Sequence, residues 1–209
     1  MKRWMIFAFS AASALTAAAG PSFAQSQVEE IRFPLAVNPK FAQCLGNPSG
    51  PAPKAEVTVL RGKTNDTMVL RLSNVKPHLA FDLFTVERST LGPDGQPNPA
   101  VPNVGMAWYQ SDIEADRRGN AEVQIRTILL DEIFGVDQNT LLPPTNAFHV
   151  GFWFDDPNDA AACGFNVASP TPFNGEHKAG PLAMISVPDA VTNLGPLFTK
   201  SQSNGTSHP

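Results

Sequence analysis

Clusters of proline constrain this chain more than any other sequence feature. They lie at positions 48–53, 93–102, 143–144 and 170–172, and 19 of the 20 prolines follow residue 24. Proline cannot donate a hydrogen bond to a sheet ladder and cannot continue a helix, so each cluster predicts a loop. The runs that could form regular structure lie between these loops.

Apolar, turn-bounded runs between the loops have the character of short β-strands. They lie at 55–61, 68–75, 78–86, 105–114, 121–130, 147–154 and 182–187. Turn-forming residues at 62–66 and 116–120 predict two hairpins, and helical signals are confined to a turn at 131–134 and a short helix at 156–162. We therefore expect an all-β fold, an antiparallel β-sandwich of immunoglobulin-like, Greek-key type with seven or eight strands and long Pro-rich loops. A small β-barrel or a jelly roll is the alternative.

The first 24 residues have the order of a secretory signal peptide. Lys2 and Arg3 precede an apolar run at 4–19, and a small-x-small motif ends at Ala24. A retained membrane anchor would need ~20 strongly apolar residues, whereas this run is rich in Ala and Ser and ends at Gly20-Pro21. We expect cleavage, a secreted or periplasmic location, no membrane span afterwards, one domain over 25–198 and a disordered tail at 199–209.

The charge of the chain narrows the classes of partner. Without the leader, 13 basic residues stand against 19 acidic ones, which gives a formal net charge of −6. Because this charge is mildly acidic and unclustered, it argues against nucleic acid and anionic lipid as partners. The remaining classes of partner are a small molecule, a glycan and another protein.

The two cysteines, Cys44 and Cys163, both follow the leader. An exported chain matures where paired thiols persist, so a Cys44–Cys163 disulfide is the simplest interpretation. The alternative is two free thiols, one of them a metal ligand.

The run at 147–154 carries the main candidate for a ligand site. A period of two places its large apolar residues on one face, toward the core: Phe148, Val150, Phe152 and Phe154. His149 and Trp153 share the opposite face across Gly151, an arrangement that could stack a planar ligand, with His177 as a third ligand-binding candidate. Alternatively, both faces of this strand are covered.

Two kinds of metal site are alternatives to organic ligand binding. Copper could be bound by histidines with Cys163, Met106 or Met184, the histidines being His78, His149 and His177. Such a β-sandwich would be similar to the cupredoxins, although its ligands are spaced more widely than theirs.

Calcium could be bound by either of two acidic clusters. The first is Asp112, Glu114 and Asp116; the second is Asp155, Asp156 and Asp159 with Asn158. The first cluster could equally be a strand end that runs into a turn, and the second could be the capped start of a helix.

Catalytic motifs are sparse. The sequence has no Gly-x-Ser-x-Gly elbow, His-Glu-x-x-His pair, P-loop or dinucleotide fingerprint. Glu176 and His177 form one acid/base candidate, which would make the chain a hydrolase. We expect a secreted, non-catalytic binding or structural module without a cofactor, with metal binding and hydrolysis as the two alternatives.

Overall fold

A computed structural model describes residues 29–130, 148–173 and 178–198. Its strands are β1 (Glu30–Val37), β2 (Lys54–Leu60), β3 (Asp66–Ser73), β4 (Ala80–Val86), β5 (Ala107–Glu114), β6 (Ala121–Thr127), β7 (His149–Phe154) and β8 (Leu182–Ile185). A 3-10 turn at Pro39–Phe41 leads into α1 (Ala42–Leu45), and a second 3-10 helix covers Pro157–Cys163. The predicted leader, the tail and the helical turn at 131–134 lie outside the described residues.

The eight strands form one nearly closed sheet in the order β5-β4-β7-β8-β1-β2-β3-β6, with every pair antiparallel. The predicted all-β, antiparallel fold is thereby confirmed. β1 joins the two halves of the sheet, because it pairs with β2 up to Leu35 and with β8 from Ala36 onward. A strand that changes partners in this way is common to folded-over sandwiches and to barrels, and both descriptions fit.

The two predicted hairpins have different outcomes. The first is confirmed, since β2 and β3 pair along their whole lengths. The second is wrong, because the two strands that flank its turn do not pair with each other: β5 pairs with β4, and β6 pairs with β3. Its turn does form, closed by Asp116 Oδ1, which accepts hydrogen bonds from the backbone N–H groups of Arg118 and Asn120. The turn is a corner at which the chain passes from one half of the sheet to the other.

The main hydrophobic core lies between the two halves. Val57, Val59 and Leu70 from one half are in the same buried cluster as three phenylalanines of the other half, Phe81 in β4 and Phe152 and Phe154 in β7. The Phe81 ring lies 4.9 Å from the ring of Phe152 and 5.4 Å from that of Phe154. The predicted inward face is confirmed for Val150, Phe152 and Phe154, whereas Phe148 precedes the strand and contacts Phe198 outside this cluster.

A second apolar cluster covers the outer side of β4, β7 and β8. It consists of Phe84, Val86, Leu91, Trp153, Leu182 and Ile185. The loops around Val104 and Phe173 pack against it. This half of the sheet is therefore apolar on both sides. The apolar residues on its outer side form the floor of the site described below.

The predicted disulfide is present between Cys44 in α1 and Cys163 at the end of the second 3-10 helix. It connects positions 119 residues apart. A stable disulfide is typical of proteins from oxidising compartments. Among the described residues, no helix is long and apolar enough to cross a bilayer.

Candidate functional site

The face of β7 that carries His149 and Trp153 is buried. Their exposed fractions are 3% and 7%. The gap at Gly151 is filled, because a Cβ atom there would lie 3.0 Å from Cγ1 of Ile185. The structure thus corresponds to the alternative in which both faces are covered, and it does not present the predicted stacking surface to solvent. His177 and Glu176, the remaining binding and catalytic candidates, lie outside the described residues.

His149 is held by Ser186. Its Nδ1 lies 3.0 Å from the carbonyl oxygen and 3.0 Å from the hydroxyl of Ser186. Because a carbonyl oxygen can only accept, Nδ1 carries the proton and donates. Burial lowers the pKa of His149 to about 4, against a smaller opposing effect of the hydrogen bond to Ser186. His149 is therefore neutral at physiological pH and acts as an internal polar contact.

The acidic residues proposed as a calcium site have separate surroundings. Asp156 caps the second 3-10 helix, its Oδ1 accepting hydrogen bonds from the backbone and side-chain N–H groups of Asn158 at 2.8 Å each. Asp159 lies in the first turn of that helix, where burial and the nearby Asp156 and Asp155 raise its pKa. Asp155 lines a different feature, the groove defined below. Within the described ranges, no group of three or more His, Cys, Asp or Glu side chains is placed to hold a metal ion.

Among the described residues, the sulfur ligands proposed for copper do not come together. Cys163 is in the disulfide, so it offers no thiolate. Met184 is in the main core, whereas Met106 lies at the surface with 51% of its area exposed. The cysteine and methionine ligands therefore occupy unrelated places in the fold.

A cavity of about 970 Å³ lies on the outer side of β4 and β5, and we call it the outer groove. Its walls are formed by these two strands, by Gly105 and Met106 before β5, by Asp155 after β7, and by Pro172 and Phe173. This volume is in the range of pockets that bind small molecules.

A β-bulge in β5 shapes the groove. Ser111 lies opposite Leu83, but the next residue pair of the ladder is Tyr109 with Phe84, so Gln110 is an extra residue. Strict alternation from Ile113 through Ser111 would turn Tyr109 toward the core. Because of the extra residue, Tyr109 instead points to the outer side of the sheet. The Gln110 side chain donates a hydrogen bond to Thr85 Oγ1 at 2.9 Å.

Aromatic rings form one part of the outer groove. The Phe84 ring makes edge contacts with Tyr109 at 5.7 Å and Trp153 at 5.3 Å, and it lies 4.7 Å from the ring of Phe173. Tyr109 is 54% exposed, while Trp153 is buried beneath Phe84 and Phe173. The groove thus has a packed apolar floor and an exposed aromatic wall, and Trp108 is also among the residues that line it.

Carboxylates form the other part of the groove. Asp82 in β4 lies directly opposite Asp112 in β5, and one row further along Glu114 lies opposite Ala80. Asp155 joins that second row, since its N–H donates to the carbonyl oxygen of Ala80 at 3.0 Å. All four acids line the cavity, so carboxylate side chains are concentrated at one end of the groove.

Tyr109 connects the two parts. Its hydroxyl donates a hydrogen bond to Asp112 Oδ1 at 2.5 Å. Partial burial raises the pKa of Tyr109 to about 12, with further contributions from this hydrogen bond and from the negative charges of Asp112, Asp82 and Asp155. The phenol therefore stays protonated and keeps donating at physiological pH.

Comparison with protein-family models and with curated proteins finds no match for this chain. The chemistry of the outer groove is therefore inferred from its own residues.

Sequence reasoning found only part of the groove. Asp112, Glu114 and Asp155 were singled out, but as calcium ligands in two separate clusters. Tyr109, Phe84 and Asp82 were missed. An isolated aspartate in the apolar run Ala80–Val86 was the available signal for Asp82. Tyr109 gave no comparable signal, because its outward direction depends on the bulge.

Proposed function

We propose that this protein is an exported, non-catalytic binding module, secreted or periplasmic, that binds its ligand in the outer groove. The observation that carries the proposal is the preformed cavity with an exposed aromatic wall on a packed floor. Among the described residues, three large apolar side chains have more than half of their area exposed, and two of them, Met106 and Tyr109, line this cavity. Apolar surface concentrated around a concavity is typical of a binding site.

Export is supported by the leader pattern together with the disulfide. We expect N-terminal sequencing of the protein recovered outside the cytoplasm to begin at Gln25, because the small-x-small motif ends at Ala24. An intact Met1 in the exported fraction would contradict cleavage at this position.

The binding proposal is tested with a panel of single-ring aromatic compounds that carry cationic, neutral or anionic substituents. Binding is followed by tryptophan fluorescence, to which Trp108 in the lining and Trp153 beneath the floor both contribute. We expect at least one compound to bind with a saturable signal. We expect Tyr109→Ala to weaken that binding about fivefold, since an aromatic contact contributes on the order of 1 kcal/mol.

A matched control is Val191→Ala, which shortens an apolar side chain that is 93% exposed and lies outside the groove. It should leave the affinity unchanged. Equal weakening by both substitutions, or no binding by any member of the panel, would contradict the proposed site.

A further inference from the structure

We infer that β6 is an interface for a second copy of this chain, and that the two β6 strands pair in antiparallel register across a twofold axis at Gln124. β6 is one end of the eight-strand sheet. It pairs with β3 along one edge, and no strand in the described part of the chain pairs with its other edge. This surface is distinct from the outer groove, so the inference does not depend on the proposed function.

The two ends of the sheet differ in how well they suit the addition of a strand. The end strands of a sheet expose unpaired N–H and C=O groups, and proteins protect such edges with bulges or prolines. β5 contains the bulge at Gln110 and carries two acids, Asp112 and Glu114, without a basic residue. β6 is seven residues long and has neither a bulge nor a proline. β6 is therefore the end of the sheet that can accept another strand.

The sequence of β6 is self-complementary about Gln124. When two copies run antiparallel with their Gln124 residues opposed, Glu122 lies opposite the partner's Arg126, and the twofold axis repeats this pair. Opposite charges in directly opposed positions stabilise neighbouring strands. On the other face, Val123 lies opposite the partner's Ile125, and such β-branched side chains pack well across strands.

Other registers of the same two strands are less favourable. A slip of one residue would place outer side chains of one copy opposite core-side side chains of the other. A twofold axis at Glu122 or at Arg126 would place that charge opposite itself. An axis at Val123 or Ile125 would leave neither charge opposite a residue of opposite charge. The register centred on Gln124 is therefore the one that satisfies both faces.

The exposure of the β6 side chains agrees with this pairing. Glu122, Gln124 and Arg126 are exposed on the outer face of the sheet. Val123 and Ile125 are half-buried and pack against the main core. A second β6 strand would cover part of the apolar area that these two side chains still expose, and burial of apolar area favours association.

A row of alternating charge on the outer face would continue into the second copy. Glu56 in β2 lies opposite Arg71 in β3, which in turn lies opposite Glu122. Arg71 Nε is 2.8 Å from Glu122 Oε2, whereas Arg126 forms no ion pair among the described residues. The partner's Arg126 would be the next member of the row. Because exposed ion pairs contribute little energy each, the row favours this register more than it strengthens the dimer.

Sedimentation equilibrium of the exported protein tests the association itself. A single strand pair is a small interface, so we expect a reversible monomer–dimer equilibrium at protein concentrations of roughly 10 µM to 1 mM. Protein that stays monomeric over this range would overturn the inference. Growth beyond the dimer would overturn it as well, because an interface around a twofold axis closes at two copies.

Charge reversal tests the register. Glu122→Arg and Arg126→Glu each place like charges opposite each other, and each should raise the dimer dissociation constant about tenfold or more. The double variant restores two pairs of opposite charge and should dimerise nearly as well as the parent. Glu56→Arg is the matched control, since it makes the same charge change at an exposed position two strands away from the interface. Thermal unfolding verifies that each variant is folded.

The expected pattern is weakening by both single reversals, recovery in the double variant and no change in Glu56→Arg. A double variant that dimerises no better than the single ones would overturn the register. Equal weakening by Glu56→Arg would show that net charge, and not pairing along β6, controls the association.

A cross-link tests the position of the axis. Directly opposed residues of antiparallel strands have Cα atoms ~4.5–5.5 Å apart, a separation that a disulfide can bridge. Gln124→Cys should therefore form a disulfide-linked dimer under mild air oxidation, whereas Glu56→Cys should stay monomeric on a non-reducing gel. A protein that dimerises but does not cross-link through position 124 would use a different interface, and the inference would be wrong.

Discussion

At the scale of single residues, two side chains that the sequence suggested for ligand binding have internal roles. His149 donates to Ser186 inside the sheet, and Trp153 supports the rings that form the floor of the outer groove. Their burial leads to two predictions about stability.

His149 should make the fold sensitive to acid. An ordinary histidine has a pKa of ~6.5, whereas His149 has a pKa of about 4 in the folded protein. Between these values the unfolded chain binds more protons than the folded one, so stability falls as the pH falls. The contribution is fully present above pH ~6.5 and is lost as the pH approaches 4. We expect a loss on the order of 2 kcal/mol between pH 7 and pH 4.5, measured by urea unfolding.

The control for this prediction is His149→Gln, which cannot take up a proton. Other acidic groups titrate in the same range, so the informative quantity is the difference between the two proteins. The variant should lose less stability than the parent over this pH interval. An equal loss in both proteins would show that His149 does not contribute.

Trp153→Ala should destabilise the protein by ~3–5 kcal/mol, because it leaves a large cavity under Phe84 and Phe173. Tyr109→Ala is the matched aromatic control, since the Tyr109 ring is half exposed. It should lower the free energy of unfolding clearly less than Trp153→Ala does. Thermal and urea unfolding measure both. Unchanged stability in Trp153→Ala would mean that the ring is not part of the core.

At the scale of elements, the groove and the sheet depend on local departures from regular pairing. The bulge at Gln110 turns Tyr109 outward. At the other edge of the sheet, Asp66 at the start of β3 holds the chain that follows β6. Its Oδ2 accepts hydrogen bonds from the N–H groups of Leu129 and Leu130 at 3.2 and 2.9 Å, and its Oδ1 accepts one from Gly62 at 3.2 Å.

Asp66→Ala should therefore destabilise the fold by ~3 kcal/mol or more, since it leaves buried N–H groups without an acceptor. Asp66→Asn keeps one acceptor oxygen and should have an intermediate effect. Hydrogen exchange provides a specific measurement: the amides of Leu129 and Leu130 should exchange faster in Asp66→Ala than in the parent. If their protection is unchanged, Asp66 does not hold this segment.

At the scale of the whole molecule, the disulfide constrains the chain most broadly. It closes a loop between positions 119 residues apart, so replacing both cysteines by serine should lower the free energy of unfolding by ~2–5 kcal/mol. Thiol titration of the denatured, unreduced protein should find no reactive thiol, and reduction should expose both. Two reactive thiols before reduction would refute the bridge.

The fold was largely predictable from the sequence, because turn residues and apolar alternation are local signals. The exceptions depend on distant pairing. β1 was missed as a strand. It contains Pro34, and a proline is unusual inside a paired strand. In the structure, Pro34 lies close to the point where β1 changes its pairing from β2 to β8. The 116–120 turn was recognised, but no local signal shows that its two strands pair elsewhere.

The groove was less predictable than the fold. Asp82 and Asp112 come from different runs, and only the ladder between β4 and β5 places them opposite each other. Trp153 stood out in the sequence because of its type and its neighbours, but burial depends on what the loops around Val104 and Phe173 cover.

The most direct test of the outer groove as a binding site is a backbone amide chemical-shift titration of the exported protein with the tightest-binding compound of the single-ring aromatic panel. We expect saturable shifts at Tyr109, Asp112 and Phe173, all of which line the groove, and none along β2 and β3 in the other half of the sheet. Shifts confined to β2 and β3, or the absence of a saturable shift at the groove, would contradict ligand binding in the outer groove.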